Sequence, residues 1–186
     1  MVRSREQLEE EVAILTKEVE LRSAGIVLAE QLVSKLRKRL KRLESRVYAG
    51  TAVVLRRADC IVMGRRKGSH GAGTFSLPGG ALDNAARDPG QGDKTMKEGA
   101  CRELLEETGI DLLPVQLTLL HVDDSQHEGG GHWVTLFFEV ELVEGVEPIL
   151  VEPNKCEGWD WYATTDLPEP LFGAFSKLVD SGKLFT

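Results

Sequence analysis

Arg102 is followed by three carboxylates, Glu103, Glu106 and Glu107, whose spacing is i, i+3, i+4. Residues three and four apart share a helix face, so a helix here gathers three like charges. Each exposed like-charge pair costs roughly 0.2–0.5 kcal/mol. Two environments accommodate the set. Water can solvate it as an ordinary charged face. A hard divalent cation such as Mg²⁺, which takes oxygen ligands, removes the repulsion. Leu104 and Leu105 are expected to turn to the core while the carboxylates face outward.

The helix that carries them is expected over Thr95–Thr108, with Gly109 as its C-terminal stop. Gly50–Arg57 and Cys60–Arg65 read as strands joined by the turn Ala58-Asp59. A glycine-rich stretch from Gly68 leads into Leu77-Pro78-Gly79-Gly80, and residues 83–93 read as a polar loop. Further strands are expected at Val115–Val122, Trp133–Leu142 and Glu157–Ala163, and an amphipathic helix at Pro170–Gly182.

Arg102, Glu103, Leu104, Glu106, Glu107, Gly109 and Ile110 match the second half of the Nudix box at every fixed position. Leu77-Pro78-Gly79-Gly80 resembles the lead-in to that box. The chain therefore resembles the Nudix hydrolases over residues 50–182, and residues 65–80 are most similar to the MutT-type nucleoside-triphosphate diphosphatases. Two features depart from the pattern. The loop before the helix is 8 residues longer than the box requires, and Lys94 stands where the first box glutamate belongs, with Asp93 beside it.

The resemblance implies an α/β/α sandwich around a mixed sheet. It implies that Glu103, Glu106 and Glu107 hold Mg²⁺, with Mn²⁺ as substitute, and that Arg102 orients them through an ion pair. By the same resemblance Glu106, Glu107 and Arg102 are expected to form the catalytic group, with Glu107 as holder or base of the attacking water. Glu157 is the nearest match to a further loop ligand, with Asp160 and Glu152 as rivals. Gly79 and Gly80 allow close approach of backbone and metal, since a side chain there would intrude. Arg66 is either a phosphate contact or a surface charge after a strand, and His132 either faces the nucleotide or is structural.

The net charge of −7 is unevenly spread. Residues 1–48 carry 11 basic and 8 acidic residues, +3, and the remainder carries 12 and 22, −10. An acidic body is a poor generic nucleic-acid binder but suits a cation site that meets polyphosphate. Cys60, Cys101 and Cys156 lack CxxC spacing and read as reduced thiols of a cytoplasmic protein. No apolar run reaches the ~18 residues of a membrane span.

Residues 5–47 read as a helix with apolar residues in heptad register, including Leu8, Val12, Leu15, Val33, Leu36 and Leu40, interrupted by Ser23-Ala24-Gly25. The first half is acidic and the second basic, which favours antiparallel pairing, either as a hairpin in one chain or as a homodimer. The domain division is thus a coiled-coil-like arm, 1–48, and a hydrolase domain, 49–186. The expected activity is Mg²⁺-dependent conversion of nucleoside triphosphates, including modified or oxidised ones, to monophosphate and pyrophosphate. The rivals are nucleotide sugars, dinucleoside polyphosphates, capped RNA read by basic residues 35–46, and a non-catalytic nucleotide-binding regulator.

Overall fold

The structure, a computed structural model, describes residues 4–21, 26–44, 47–68, 70–82, 92–126 and 131–185. The chain divides into two compact units, Met1–Val47 with Glu128–His132, and Tyr48–His127 with Trp133–Thr186.

The first unit contains α1 (Arg5–Leu21) and α2 (Ile26–Glu44), which pack on each other. Ser4 starts α1: its Oγ accepts from Gln7 N–H at 3.3 Å, while Gln7 Oε1 accepts from Ser4 N–H at 3.0 Å. Helices in contact across so short a connection run antiparallel. Leu8, Val33 and Leu36 of the heptad seam are buried. The seam therefore closes within the chain, and the expected single helix is two helices. Val47, expected as the end of the seam, is 60% exposed and opens β1 instead.

The second unit is built on a seven-stranded mixed sheet. Its strands are β1 (Val47–Arg57), β2 (Cys60–Arg66), β3 (Phe75–Ser76), β4 (Gly79–Ala81), β5 (Thr118–Gln126), β6 (His132–Glu141) and β7 (Cys156–Ala163). The order is β3-β2-β1-β6-β5, with β4 added to β1 and β7 to β2. Helix α3 (Met96–Thr108) follows β4, and α4 (Gly173–Asp180) follows β7. Successive side chains of β1 point to opposite faces, yet Val53, Val54 and Leu55 are all buried, so both faces are covered. Val53, Leu55 and Phe138 join Ala100 and Leu104 of α3 in one core. Val54, Ile61 and Phe137 join Phe175 and Leu178 of α4 in the other. The layers are α/β/α, as the resemblance implied.

Local chemistry moves some boundaries. Pro114 opens a 3-10 turn over Pro114–Gln116, closed by Leu113 N–H donating to Gln116 Oε1 at 2.8 Å, and this delays β5 to Thr118. The C-terminal helix starts at Gly173, not Pro170. The preceding backbone is committed to β3: Phe75 N–H donates to Pro170 O and Phe172 N–H to Phe75 O, both at 2.8 Å. The two short strands β3 and β4 follow the glycine-rich stretch, where no strand was expected.

Candidate active site

The site begins where β4 crosses the acidic helix. Gly79 and Gly80 pair with Ala52 and Thr51 of β1. Gly79 has φ 150°, and a Cβ there would stand 2.1 Å from Thr51 O, so the position admits only glycine. A Cβ on Gly80 would stand 2.5 Å from the Glu103 carboxylate. The two glycines thus bring strand backbone directly onto α3. Gly79 N–H donates to Glu107 Oε2 at 2.8 Å.

Helix α3 is anchored at both ends. Thr95 and Glu98 form a reciprocal capping box, and Gly109, at φ 70°, returns its N–H to Leu105 O. Ile149 N–H donates to Thr108 O at 2.9 Å. Glu107 O accepts from the Trp159 indole at 3.0 Å and from Val151 N–H at 3.3 Å. These bonds satisfy carbonyls that a helix end leaves open, and they hold Glu107 at a set height.

The helix is turned differently from the expectation that both leucines face inward. Leu104 is fully buried, but Leu105 is 44% exposed. Glu103 takes the inward place, 8% exposed, because Gly80 leaves room for it. Arg102 gathers the acids. Its Nη1 lies 2.9 Å from Glu103 Oε1 and 3.0 Å from Glu106 Oε2, while Nε and Nη2 grip Asp93 Oδ1 and Oδ2, each at 3.0 Å. Arg102 Nη2 also donates to Ala81 O at 3.2 Å. The bond to Asp93 raises the Arg102 pKa further. Asp93, not Lys94, is therefore the acid that meets the arginine; Lys94 is exposed and its backbone N–H joins the Glu98 cap.

The buried carboxylates are electrostatically costly. Burial pushes Glu107 up to about 7, the Gly79 N–H opposes this, and the charge of Glu103 adds to it. Burial also raises Glu103, against the pull of Arg102. Glu106 is half-exposed, bound to Arg102. Among the described residues no three His, Cys, Asp or Glu side chains converge as a ready cation site. The donor set nevertheless suits a hard cation: Glu103 and Glu107 stand one turn apart on α3, the charge of one acts on the other, and burial already disfavours both charges.

Beside this group lies a cavity of about 160 Å³ lined by Thr51, Arg66, Gly79, Gly80, Trp133, Thr135, Phe137, Phe172 and Phe175, among others. Tyr48 stacks on Trp133 with ring centroids 5.1 Å apart. Arg66 lies over the Phe172 ring at 4.6 Å, and its Nε donates to His70 O at 3.2 Å. Burial lowers the Arg66 pKa, and the Glu107 charge partly restores it. Thr51 Oγ1 is buried without a hydrogen-bond partner.

The structure brings Arg66, Gly79, Gly80, Arg102, Glu103 and Glu107 together. His132 is half-buried and is not among the lining residues; its neighbour Trp133 is, as strand alternation requires. Glu157 is half-exposed and pairs with Arg65 at 3.5 Å. Its rival Glu152 follows Val151, which is bonded to the end of α3, and pairs with Lys155 at 2.8 Å; that lysine in turn feels the charges of Glu103 and Glu107. Thr51 and Tyr48 were not anticipated, since neither belongs to a motif. Loop residues 83–91 and His127 lie outside the described residues.

Residues 46–180 match the family model of the NUDIX domain. The MutT NUDIX hydrolase of Burkholderia pseudomallei is 32% identical, with TM-score 0.63, covering 73% of this chain and 98% of that one. The NUDIX domain of Shewanella oneidensis NrtR, solved with ADP ribose, is 17% identical with TM-score 0.59, over 76% of this chain and 90% of that one. A bifunctional NMN adenylyltransferase/ADP ribose pyrophosphatase of Francisella tularensis, solved with AMP and a Mn ion, is 19% identical with TM-score 0.53, over 91% of this chain and 52% of that one.

Proposed function

The chain belongs to the Nudix family of pyrophosphohydrolases, and from that premise we propose that it cleaves nucleoside triphosphates to the monophosphate and pyrophosphate. The observation that carries this reading is the junction at Gly79-Gly80, where the same two residues line the aromatic cavity and touch the buried carboxylates. A base seated in the cavity sends its phosphates toward Glu103 and Glu107. Aromatic faces such as Trp133 hold a base by stacking, which is worth about 1–3 kcal/mol. The unpaired Thr51 hydroxyl offers a hydrogen bond to the ring edge, an unmet need that an oxidised or otherwise modified purine can fill.

Nudix hydrolases generally use divalent metals. We assign Glu103, Glu106 and Glu107 to Mg²⁺, or Mn²⁺ in its place; an ion held there would offset phosphate charge and polarise the phosphorus. Of the loop carboxylates, Glu152 has a better case than Glu157, because its segment is tied to the end of α3. Arg102 is a positioning residue that fixes Glu103 and Glu106. Gly79 N–H engages Glu107 Oε2, which supports Oε1 as the acceptor of the attacking water's proton. The water oxygen bonds to phosphorus, the anhydride P–O bond breaks, and its electron pair leaves with pyrophosphate. Arg66, beside the cavity, contacts the phosphates.

The test is phosphate release with and without added pyrophosphatase, from a panel of nucleotides with Mg²⁺. The expected result is pyrophosphatase-dependent release from a nucleoside triphosphate, with kcat of about 1 s⁻¹ or more, abolished in Glu107→Gln. Exclusive cleavage of ADP-ribose, a dinucleoside polyphosphate or capped RNA overturns the triphosphate reading. Tight nucleotide binding without cleavage in Mg²⁺ or Mn²⁺ makes the chain a non-catalytic regulator.

A further inference from the structure

The pairing of α1 with α2 leaves one face of the hairpin unused. At roughly 100° per residue, Leu8, Val12 and Leu15 of α1 form one line and Val33, Leu36 and Leu40 of α2 another, and the buried Leu8, Val33 and Leu36 mark where these lines meet. Ile14 and Leu32 fall off those lines, 55% and 43% exposed. Among the side chains described on the two helices they are the only large apolar ones exposed. Both are displaced in the same rotational sense, roughly 120° and 70°, which in antiparallel helices puts them on one side of the hairpin. They also stand level: Ile14 is seven residues before the end of α1 (21 − 14), Leu32 six after the start of α2 (32 − 26).

The charges around them are complementary. Ile14 sits in a shallow groove with Gln7, Glu10, Glu11 and Leu15. Leu32 is flanked at i+3 and i+7 by Lys35 and Arg39, both exposed. Glu10 lies eleven residues before the end of α1 (21 − 10), level between Lys35 at nine (35 − 26) and Arg39 at thirteen (39 − 26) residues into α2. None of these three makes an ion pair among the described residues.

We propose that this face binds a second copy of the chain about a two-fold axis parallel to the hairpin, forming a four-helix bundle. Each Ile14 then packs on Leu32 of the partner subunit, and each acidic α1 rim meets a basic α2 rim. Both contacts form twice, as an isologous interface requires. The heptad seam is spent inside each chain, so the dimer uses this second face.

The test is the mass of the full chain by light scattering, at concentrations on the order of tens of micromolar. Wild type is expected at twice the 20.5 kDa chain mass. Glu10→Lys with Glu11→Lys, and separately Lys35→Glu with Arg39→Glu, are each expected to be monomeric at low salt, because acid then faces acid or base faces base. An equimolar mixture of the two variants is expected to recover the dimer mass, which a folding defect cannot produce. A monomeric wild type, variants that stay dimeric, or a mixture that stays monomeric each overturn the proposal.

Discussion

Two helices of this molecule each concentrate one sign of charge, and their surroundings treat that charge oppositely. On α2, Lys35, Arg37, Lys38, Arg39 and Lys41 are all exposed. Water and salt screen them, so the crowding costs little. On α3, Glu103 is buried and Glu107 is held under Gly79, and burial drives both toward the protonated form. A fold tolerates a solvated charge run without asking anything of it. A buried one is expensive, and persists where chemistry uses it. The spacing of like charges is thus uninformative until burial is known.

Substitutions should separate the two helices sharply. The largest effect belongs to Glu107→Gln, which keeps shape and the Gly79 bond but removes the proposed proton acceptor; kcat/KM should fall about 10³-fold or more, measured on the cleaved nucleotide. Next is Gly79→Ala, whose Cβ would collide with Thr51 O; unfolding titrations should show a loss of about 3 kcal/mol or more.

The pH dependence follows in size. Glu107 has a folded pKa of about 7 against an ordinary 4.5, so the folded state binds its proton more tightly than the unfolded state does. The contribution is therefore neutral below the unfolded value and turns unfavourable as pH rises from 4.5 to about 7. In metal-free protein this should cost about 2–3 kcal/mol across that window. Urea titrations should show the decline, and Glu107→Gln or added Mg²⁺ should flatten it. Asp93→Asn, which weakens the two-point grip on Arg102, should cost about 1–2 kcal/mol and lower kcat more than it raises KM; unchanged kinetics would remove Asp93 from the orienting network. The smallest effect is Lys38→Ala on α2, expected within about 0.5 kcal/mol of wild type and without change in kcat. A large loss there would end the contrast between the helices.

Much of this was legible in the residues. The period of three and four placed the acids on α3, and the helix expected over Thr95–Thr108 with Gly109 as its stop lies within a residue of that observed. Alternation and continuous apolar runs located β1, β2 and β6, because a strand covered on both faces must be apolar throughout. Where nonlocal backbone pairing decides the outcome, as for Pro170–Phe172 against β3, helical periodicity misplaced the boundary. The choice between Lys94 and Asp93 also required space: one carboxylate reaches the Arg102 fork, and the ammonium beside it points to solvent.

By itself, the sequence determined the family, the acid helix, the glycine pair and the charge division of the arm, because helix period, backbone permissiveness and charge are local properties. Only the tertiary structure decided that Glu103 faces inward while Leu105 does not, that Trp133 rather than His132 lines the cavity, and that the heptad seam closes within one chain. Those outcomes depend on which surfaces meet across long stretches of chain. Burial, and with it the proton affinity of Glu107, exists only once they have met.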